Sequence, residues 1–304
     1  MQCADFAAQM KALVILTPPA DKTAHESLRE AMKRHFTASH IDFEVHETLK
    51  TDRPNQIVRD RLREGFDMVV AAGGDGTVSA VSDGLAGSSI PLGIIPTGTG
   101  NLFARELDVP LEVDAAVALI AGTPRSRKTD AMRIGKRMYI LNASVGISAT
   151  VIGSTTRKSK GRFGRIAYVG TAIFKLLKFK LLKPRHLIVT VDGEAHKYRA
   201  VEVAITNCGI LGKMLYPKGP DICVDDGHLD VWVLSMQTFL DYPRYLFDLV
   251  TGRPTKLHAH FIKAEKSISI RCSVPLSVQA DGDIIGRTPV EIEILPGALT
   301  VLVP

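Results

Sequence analysis

Four short stretches carry the residue types that chemistry needs. The first, Gly73-Gly74-Asp75-Gly76-Thr77, follows an apolar run at 68–72 and precedes a helical pattern over 78–85. Its glycines let the backbone bend tightly and come close to a ligand. Amides at the start of the next helix then point at anionic oxygens, which the helix dipole also favours. The second, Pro96-Thr97-Gly98-Thr99-Gly100-Asn101, has the same setting, after the run LGII and before another helical pattern. Two such turns at successive strand ends of one parallel sheet make a cradle for a polyphosphate, although either alone is also what an ordinary strand-to-helix turn looks like. Neither is a GxxxxGK[ST] phosphate loop or a GxGxxG dinucleotide fingerprint. The third stretch, Asp281-Gly282-Asp283, is a good hairpin turn that offers two carboxylates of the kind that take a proton from a hydroxyl. The fourth, Asp225-Asp226-Gly227-His228, is a second acidic turn, for which an ordinary solvated turn is an equal reading.

The elements that must position these residues change character along the chain. Up to about residue 121 the two periodicities alternate. Apolar or alternating runs at 11–16, 42–47, 68–72 and 91–95 predict strands, and patterns at 23–36, 55–63, 78–85 and 101–107 predict helices, with 113–121 closing the series. Such alternation implies a parallel sheet covered on both faces. The stretch GTPRSRK at 122–128 reads as a connector. Beyond it strands dominate, at 129–134, 137–144, 187–191, 201–206, 229–234, 267–271, 276–280, 290–295 and 299–303, which argues for a β-sandwich. Helical patterns at 163–182 and 238–250 interrupt them. The expected organisation is therefore an α/β nucleotide domain over residues 1–128 and a β-sandwich substrate domain over 129–304. Its last strand has the option of returning to the first domain, and a ligand cleft would lie between the two.

Composition narrows the classes. The chain has 304 residues, 45% of them hydrophobic and 23% charged, an ordinary globular balance that excludes a disordered or fibrous protein. Four separated cysteines form no CxxC pair, so no disulfide framework or zinc cage is indicated, and Cys208, Cys223 and Cys272 read as small core residues. Trp232 reads as core as well. No apolar run is long enough to span a bilayer, and the N-terminus lacks the layout of a signal peptide, so the expected location is cytoplasmic. The net charge of +6 is unevenly spread: no Asp or Glu lies between Asp130 and Asp192, a stretch with thirteen Lys and Arg. A field of one sign attracts phosphates. The tract lacks the interleaved aromatics of a nucleic-acid stacking surface, so nucleic acid is not the expected partner. An apolar stripe at helical spacing within 163–182 reads as packing on the β-domain, with its lysines available to dock on an anionic membrane.

The pentad GGDGT followed by PTGTGN resembles the bacterial form of the diacylglycerol kinase and sphingosine kinase-like lipid kinases. LNASVGISA at 141–149, GRFGRIAYV at 161–169, DDGHLDVWVL at 225–234 and the tail VQADGDIIGRTPVEIEILPGALTVLVP at 278–304 resemble the same family in the same order. The resemblance implies ATP-dependent transfer of a phosphoryl group to a lipid hydroxyl. Gly73, Gly74, Asp75, Gly76, Thr77, Val78, Ser79 and Thr99 would hold ATP phosphates, with Thr48 near the nucleotide. It implies a general base in the DGD stretch, where Asp283 stands in place of the usual Glu, so Asp281 and Asp283 both stay candidates. It further implies a structural Mg²⁺ or Ca²⁺ on the Asp226 carboxylate and the carbonyls of Cys223 and His228, besides the Mg²⁺ that accompanies ATP. Peripheral contact with a membrane and a homodimer formed through the β-domain are also implied. The first strand-to-helix turn, Thr17-Pro18-Pro19-Ala20-Asp21, departs from the family by lacking a glycine, and Leu102 stands where many relatives have Asp. A kinase of NAD shares GGDGT but uses an Asn-Glu pair, and no Asn-Glu dipeptide occurs here. A binding module without chemistry is the alternative of a different class.

Overall fold

Continuous burial explains the first strands. A computed structural model describes residues 9–19, 21–149, 183–215, 221–235, 241, 244, 247 and 259–304. Its Cα packing divides the chain into two compact units, Met1–Ala131 with Pro296–Pro304, and Met132–Leu295. In the first unit β1 (Lys11–Leu16) and β3 (Met68–Gly73) are apolar runs buried almost throughout, as expected of strands covered on both faces. With β2 (Asp42–Glu47), β4 (Leu92–Pro96) and the end of β16 (Val290–Val303) they form a parallel sheet in the order β2-β1-β3-β4-β16.

The helices lie where the periodicity puts them, with shifted ends. Helix α1 (Lys22–Ala38) starts one turn before the buried stripe of Leu28, Ala31, Met32 and Phe36, because the Asp21 carboxylate caps it by accepting from the Thr23 amide at 3.0 Å. Phe36 completes that stripe. Helix α2 (Pro54–Arg61) opens on its proline and ends in a 3₁₀ turn, Leu62–Glu64. Helix α3 (Asp75–Gly84) begins inside the first glycine-rich turn, three residues earlier than the pattern suggests. Helices α4 (Leu102–Glu106) and α5 (Val113–Ala121) complete the unit.

The connector expected at 122–128 is partly a strand, since β5 runs over Arg125–Ile134. The second unit is built from antiparallel strands. One sheet has the order β12-β11-β10-β7-β14-β15, from Ala259–Ala264, Leu229–Leu234, Glu202–Thr206, Asn142–Gly146, Ser277–Ala280 and Asp283–Arg287. The other joins the start of β16 to β13 (Ser267–Cys272), β8 (Arg185–Val191) and β9 (Glu194–Ala200), while β6 (Arg137–Tyr139) pairs with the end of β5. Inward residues such as Val203, Ile205, Val231, Val233, Ile268, Ile270 and Ile292 share one core. Trp232 is buried, in a separate cluster with Ala204. Strands β9, β12 and β15 carry too many polar or exposed positions to stand out in the sequence. The pair expected at 290–295 and 299–303 is one strand, because Pro296 and Gly297 do not interrupt it.

Helix α6 (Gly209–Leu215) follows β10. The helical pattern at 163–182 lies outside the described residues, and of 238–250 only 241, 244 and 247 are described, all helical. Cys208 is buried, but Cys223 is exposed and Cys272 partly so, which corrects the expectation of three core cysteines. Among the described residues no helix is long and apolar enough to cross a membrane.

One buried acid makes this unit sensitive to pH. Glu202 lies within β10 at 8% exposure and accepts from the Ser148 amide at 3.0 Å. Burial pushes its carboxyl up to about 7. The folded chain therefore holds a proton that the unfolded chain releases, so stability falls as pH rises through the window between the ordinary carboxylate range and about 7. Replacing Glu202 with Gln should flatten the melting temperature between about pH 5 and about pH 8 and raise it most at the upper end, as read by circular dichroism melts.

Candidate functional site

The two glycine-rich turns are packed backbone against backbone. A Cβ on Gly98 would lie 2.5 Å from the Gly74 Cα and 2.7 Å from the Asn101 side-chain oxygen, and one on Gly73 would strike the Thr77 hydroxyl at 2.3 Å. No side chain fits at either position. The Thr97 amide donates to the Gly73 carbonyl at 3.1 Å, which ties the second turn to the first.

Side chains then fix the shape of the second turn. Asn101 sits in the left-handed region at φ 49° and is nearly buried; its amide nitrogen donates to the Gly98 carbonyl at 2.8 Å, and its oxygen accepts from the Gly98 amide at 3.0 Å. Asp75 reaches across to the start of α4, where its carboxylate accepts from the Phe103 amide at 3.3 Å. Burial raises the Asp75 carboxyl, against the lowering effect of the amides of Phe103, Leu102 and Asn101. From outside, the Arg105 guanidinium donates to the Gly100 carbonyl at 3.0 Å. Asp75 thus works as a brace between the turns. Gly76 and Thr99 are exposed, whereas Val78 and Ser79 are buried inside α3.

Strand register brings a further group here. Leu16 pairs with Glu47 of β2 and with Ala72 of β3, so Thr17 and Thr48, just past their strands, and Gly73, the last residue of β3, lie side by side at the end of the sheet. The Thr17 hydroxyl lies 3.1 Å from that of Thr48 and 2.8 Å from that of Thr77. Thr48 therefore does stand beside the glycine-rich turn. Thr17, in the loop that lacks a glycine, is the residue the sequence reading passed over; its one signal is that it follows β1 as Thr48 follows β2.

The two carboxylates of the second unit separate into different roles. Asp281 and Gly282 both have positive φ, 45° and 87°, the backbone of a two-residue hairpin turn joining β14 to β15. The Asp281 carboxylate accepts from the amides of Ile140, Leu141 and Asn142, each at 3.0 Å. Both of its oxygens are committed to backbone. Asp283, first residue of β15, is exposed.

The acidic turn at 225–228 holds a cation of its own. Asp226 accepts from the His228 amide at 3.1 Å through one oxygen and from the Lys263 ammonium at 3.1 Å through the other. The hydrogen bond to Asp226 raises the Lys263 pKa. Lys263 also stands opposite Asp230 in the β11–β12 register. Cys223 is exposed and the His228 ring contacts Glu265. As arranged, this donor set does not fit a resident Mg²⁺ or Ca²⁺, because an ammonium already neutralises the one carboxylate such an ion would use. Among the described residues no group of three or more His, Cys, Asp or Glu side chains could hold a metal ion.

The fold and this site define a parallel-sheet domain with two fused glycine-rich turns followed by a β-sandwich domain. The Diacylglycerol kinase catalytic domain family matches residues 11–134, and the YegS C-terminal NAD kinase beta sandwich-like domain family matches residues 142–303. A protein of Pseudomonas aeruginosa (strain UCBPP-PA14), named "Probable lipid kinase YegS-like", is 28% identical over 294 residues, covering 96% of this chain and 94% of its own length. The "Diacylglycerol kinase" of Bacillus subtilis (strain 168) is 24% identical over 299 residues, covering 97% and 96%. A crystal structure of a diacylglycerol kinase from Bacillus anthracis (strain Sterne) has the same fold, with a TM-score of 0.72 at 22% identity over 97% of each chain. The chain belongs to the family of diacylglycerol kinase catalytic domains joined to a YegS-type β-sandwich domain.

Two outcomes follow from the geometry. Gly98→Ala should lower the melting temperature, because its Cβ would press on the Gly74 backbone and on the Asn101 side chain that holds the turn, whereas Gly76→Ala meets nothing within 4 Å and should fold at least as well, a helical Ala being favoured over Gly by about 1 kcal/mol. Chelation of divalent ions should leave the melting temperature of the unaltered chain unchanged, whereas Lys263→Met should make it rise on adding Mg²⁺ or Ca²⁺; differential scanning calorimetry reads both.

Proposed function

We propose that this protein is an ATP-dependent lipid kinase that transfers the γ-phosphoryl group to the hydroxyl of diacylglycerol or a related lipid alcohol. The observation that carries the reading is the fusion of the two glycine-rich turns at the start of α3. It leaves exposed backbone at Gly76 and Thr99 and room for no side chain at Gly73 or Gly98. Such a surface suits an anionic polyphosphate, which the α3 dipole also favours. The names of the Pseudomonas and Bacillus subtilis relatives support a lipid acceptor.

In this reading the exposed or half-exposed backbone at Gly76 and at residues 98–100 meets the ATP phosphates, Thr48 lies beside them, and Val78 and Ser79 contribute from within α3. Mg²⁺ enters with ATP as part of the substrate and spreads the charge that develops on the phosphoryl oxygens. Asp283 is the general base and Asp281 its support, because Asp281 has both oxygens committed to amides and Asp283 does not. Asp283 takes the proton of the lipid hydroxyl, the freed oxygen bonds to the γ-phosphorus, and the bond from that phosphorus to the β-γ bridging oxygen breaks. The products are a lipid phosphate monoester and ADP. The lipid would be met at a membrane surface, from the cytoplasmic side.

Transfer of γ-labelled phosphate into a panel of lipid alcohols in mixed micelles with Mg²⁺ tests this. Label should enter a diacylglycerol-like lipid. Asp283→Asn should cut kcat by about 10²- to 10⁴-fold with an unchanged melting temperature. Asp281→Asn should lower the melting temperature as well, since an amide replaces an acceptor that holds three N–H groups. No labelled lipid, or full activity in Asp283→Asn, would overturn the assignment.

A further inference from the structure

We propose that Thr17 is a positioning residue for ATP, acting as the middle member of a hydroxyl relay that turns the Thr77 side chain into a donor to a phosphate oxygen. The inference rests on the proposed nucleotide site and adds to it a residue from the one loop that departs from the family.

The argument is a count of protons. Each threonine hydroxyl has one proton to give and two lone pairs to accept with. The Thr48, Thr17 and Thr77 hydroxyls form two links, at 3.1 Å and 2.8 Å. Three protons serve two links, so one proton is left to point out of the chain. Bonds in such a chain run in one direction and polarise one another. An anionic oxygen at one end therefore sets the direction of all three. Thr77 is the end favoured for an anion, because it lies in the first turn of α3, where the dipole is positive. With phosphate there, Thr48 donates to Thr17, Thr17 to Thr77, and Thr77 to the ligand.

The surroundings hold Thr77 to this task. It is nearly buried, at 9% exposure. Gly73 is bare of a side chain where a Cβ would lie 2.3 Å from the Thr77 hydroxyl. Thr17 is fixed in turn, since its amide donates to the Ala72 carbonyl at 2.9 Å. Without the Thr17 hydroxyl, Thr77 would keep its proton but lose the partner that orients its hydroxyl and, by donating to it, makes it a stronger donor to the phosphate.

Equilibrium binding of Mg-ATP to the whole chain by titration calorimetry tests the relay without any lipid, on the unaltered protein, Thr17→Val and Thr17→Ser. Valine keeps the shape of threonine and removes the hydroxyl; serine keeps the hydroxyl. Thr17→Val should weaken Mg-ATP binding by up to about 10-fold, as for loss of a neutral hydrogen bond that supports the donor to the phosphate. Thr17→Ser should stay within about 3-fold of the unaltered chain by the same measure. In turnover, the KM for ATP should rise in Thr17→Val while the KM for lipid stays constant. A double-mutant cycle with Thr77→Val should show strong non-additivity, a readout that simple loosening of the loop does not give. Equal binding by Thr17→Val, weak binding by Thr17→Ser, or additivity in the cycle would overturn the relay and leave the kinase reading standing. Failure of the unaltered chain to bind Mg-ATP would overturn both.

Discussion

Everything in the first unit depends on how closely the backbone at Gly74 approaches the backbone at Gly98. A Cβ on Gly98 would lie only 2.5 Å from the Gly74 Cα, so the two turns are in contact with no side chain between them. That contact is held by three kinds of hydrogen bond: backbone to backbone from Thr97 to Gly73, the two bonds of Asn101 to Gly98, and the reach of Asp75 to Phe103. Each satisfies a polar group that would otherwise sit partly buried and unpaired. The outcome is a closely packed pair of backbone turns at the end of a parallel sheet, the place where open α/β sheets bind ligands. Asp75, whose charge makes it an obvious candidate for chemistry, is used here to hold shape.

The second unit shows a comparable division between two neighbouring acids. Asp281 lies at a turn position with positive φ and gives both oxygens to the amides of residues 140–142. It thereby ties the β14–β15 hairpin to the chain entering β7, and with it sets the place of Asp283. The hairpin that presents Asp283 is thus pinned by three hydrogen bonds. Precision of placement and reach trade against one another in general-base catalysis.

Charge in the acidic turn at 225–228 is handled locally. Lys263 arrives from the neighbouring strand opposite Asp230 and donates to Asp226. An ammonium fixed by the β11–β12 register supplies the positive charge a divalent ion would otherwise bring. Asp230 is buried at 3% exposure and raised by burial, against the lowering effect of Lys263 first and of His228 after it.

The sequence by itself determined the order and kind of most elements. The strands of a parallel sheet are continuous apolar runs, and the helices have a one-sided stripe, because burial selects residue type directly. It also picked out both glycine-rich turns and the DGD hairpin, since glycine and Asp-Gly are the residues that such backbone conformations require. It left β9, β12 and β15 unseen, because their exposed positions dilute the alternation, and it split β16 at Pro296-Gly297 where the strand continues. Only the tertiary structure sets the two acids of the DGD hairpin apart. Asp281 and Asp283 are alike in sequence, and they differ because amides 140 residues away in the chain converge on one of them. Thr17 carries only the weak local signal of following a strand. Its place beside Thr48 and Thr77 follows from the register of three parallel strands, and parallel register is fixed by pairings between residues far apart in sequence, which no local pattern encodes.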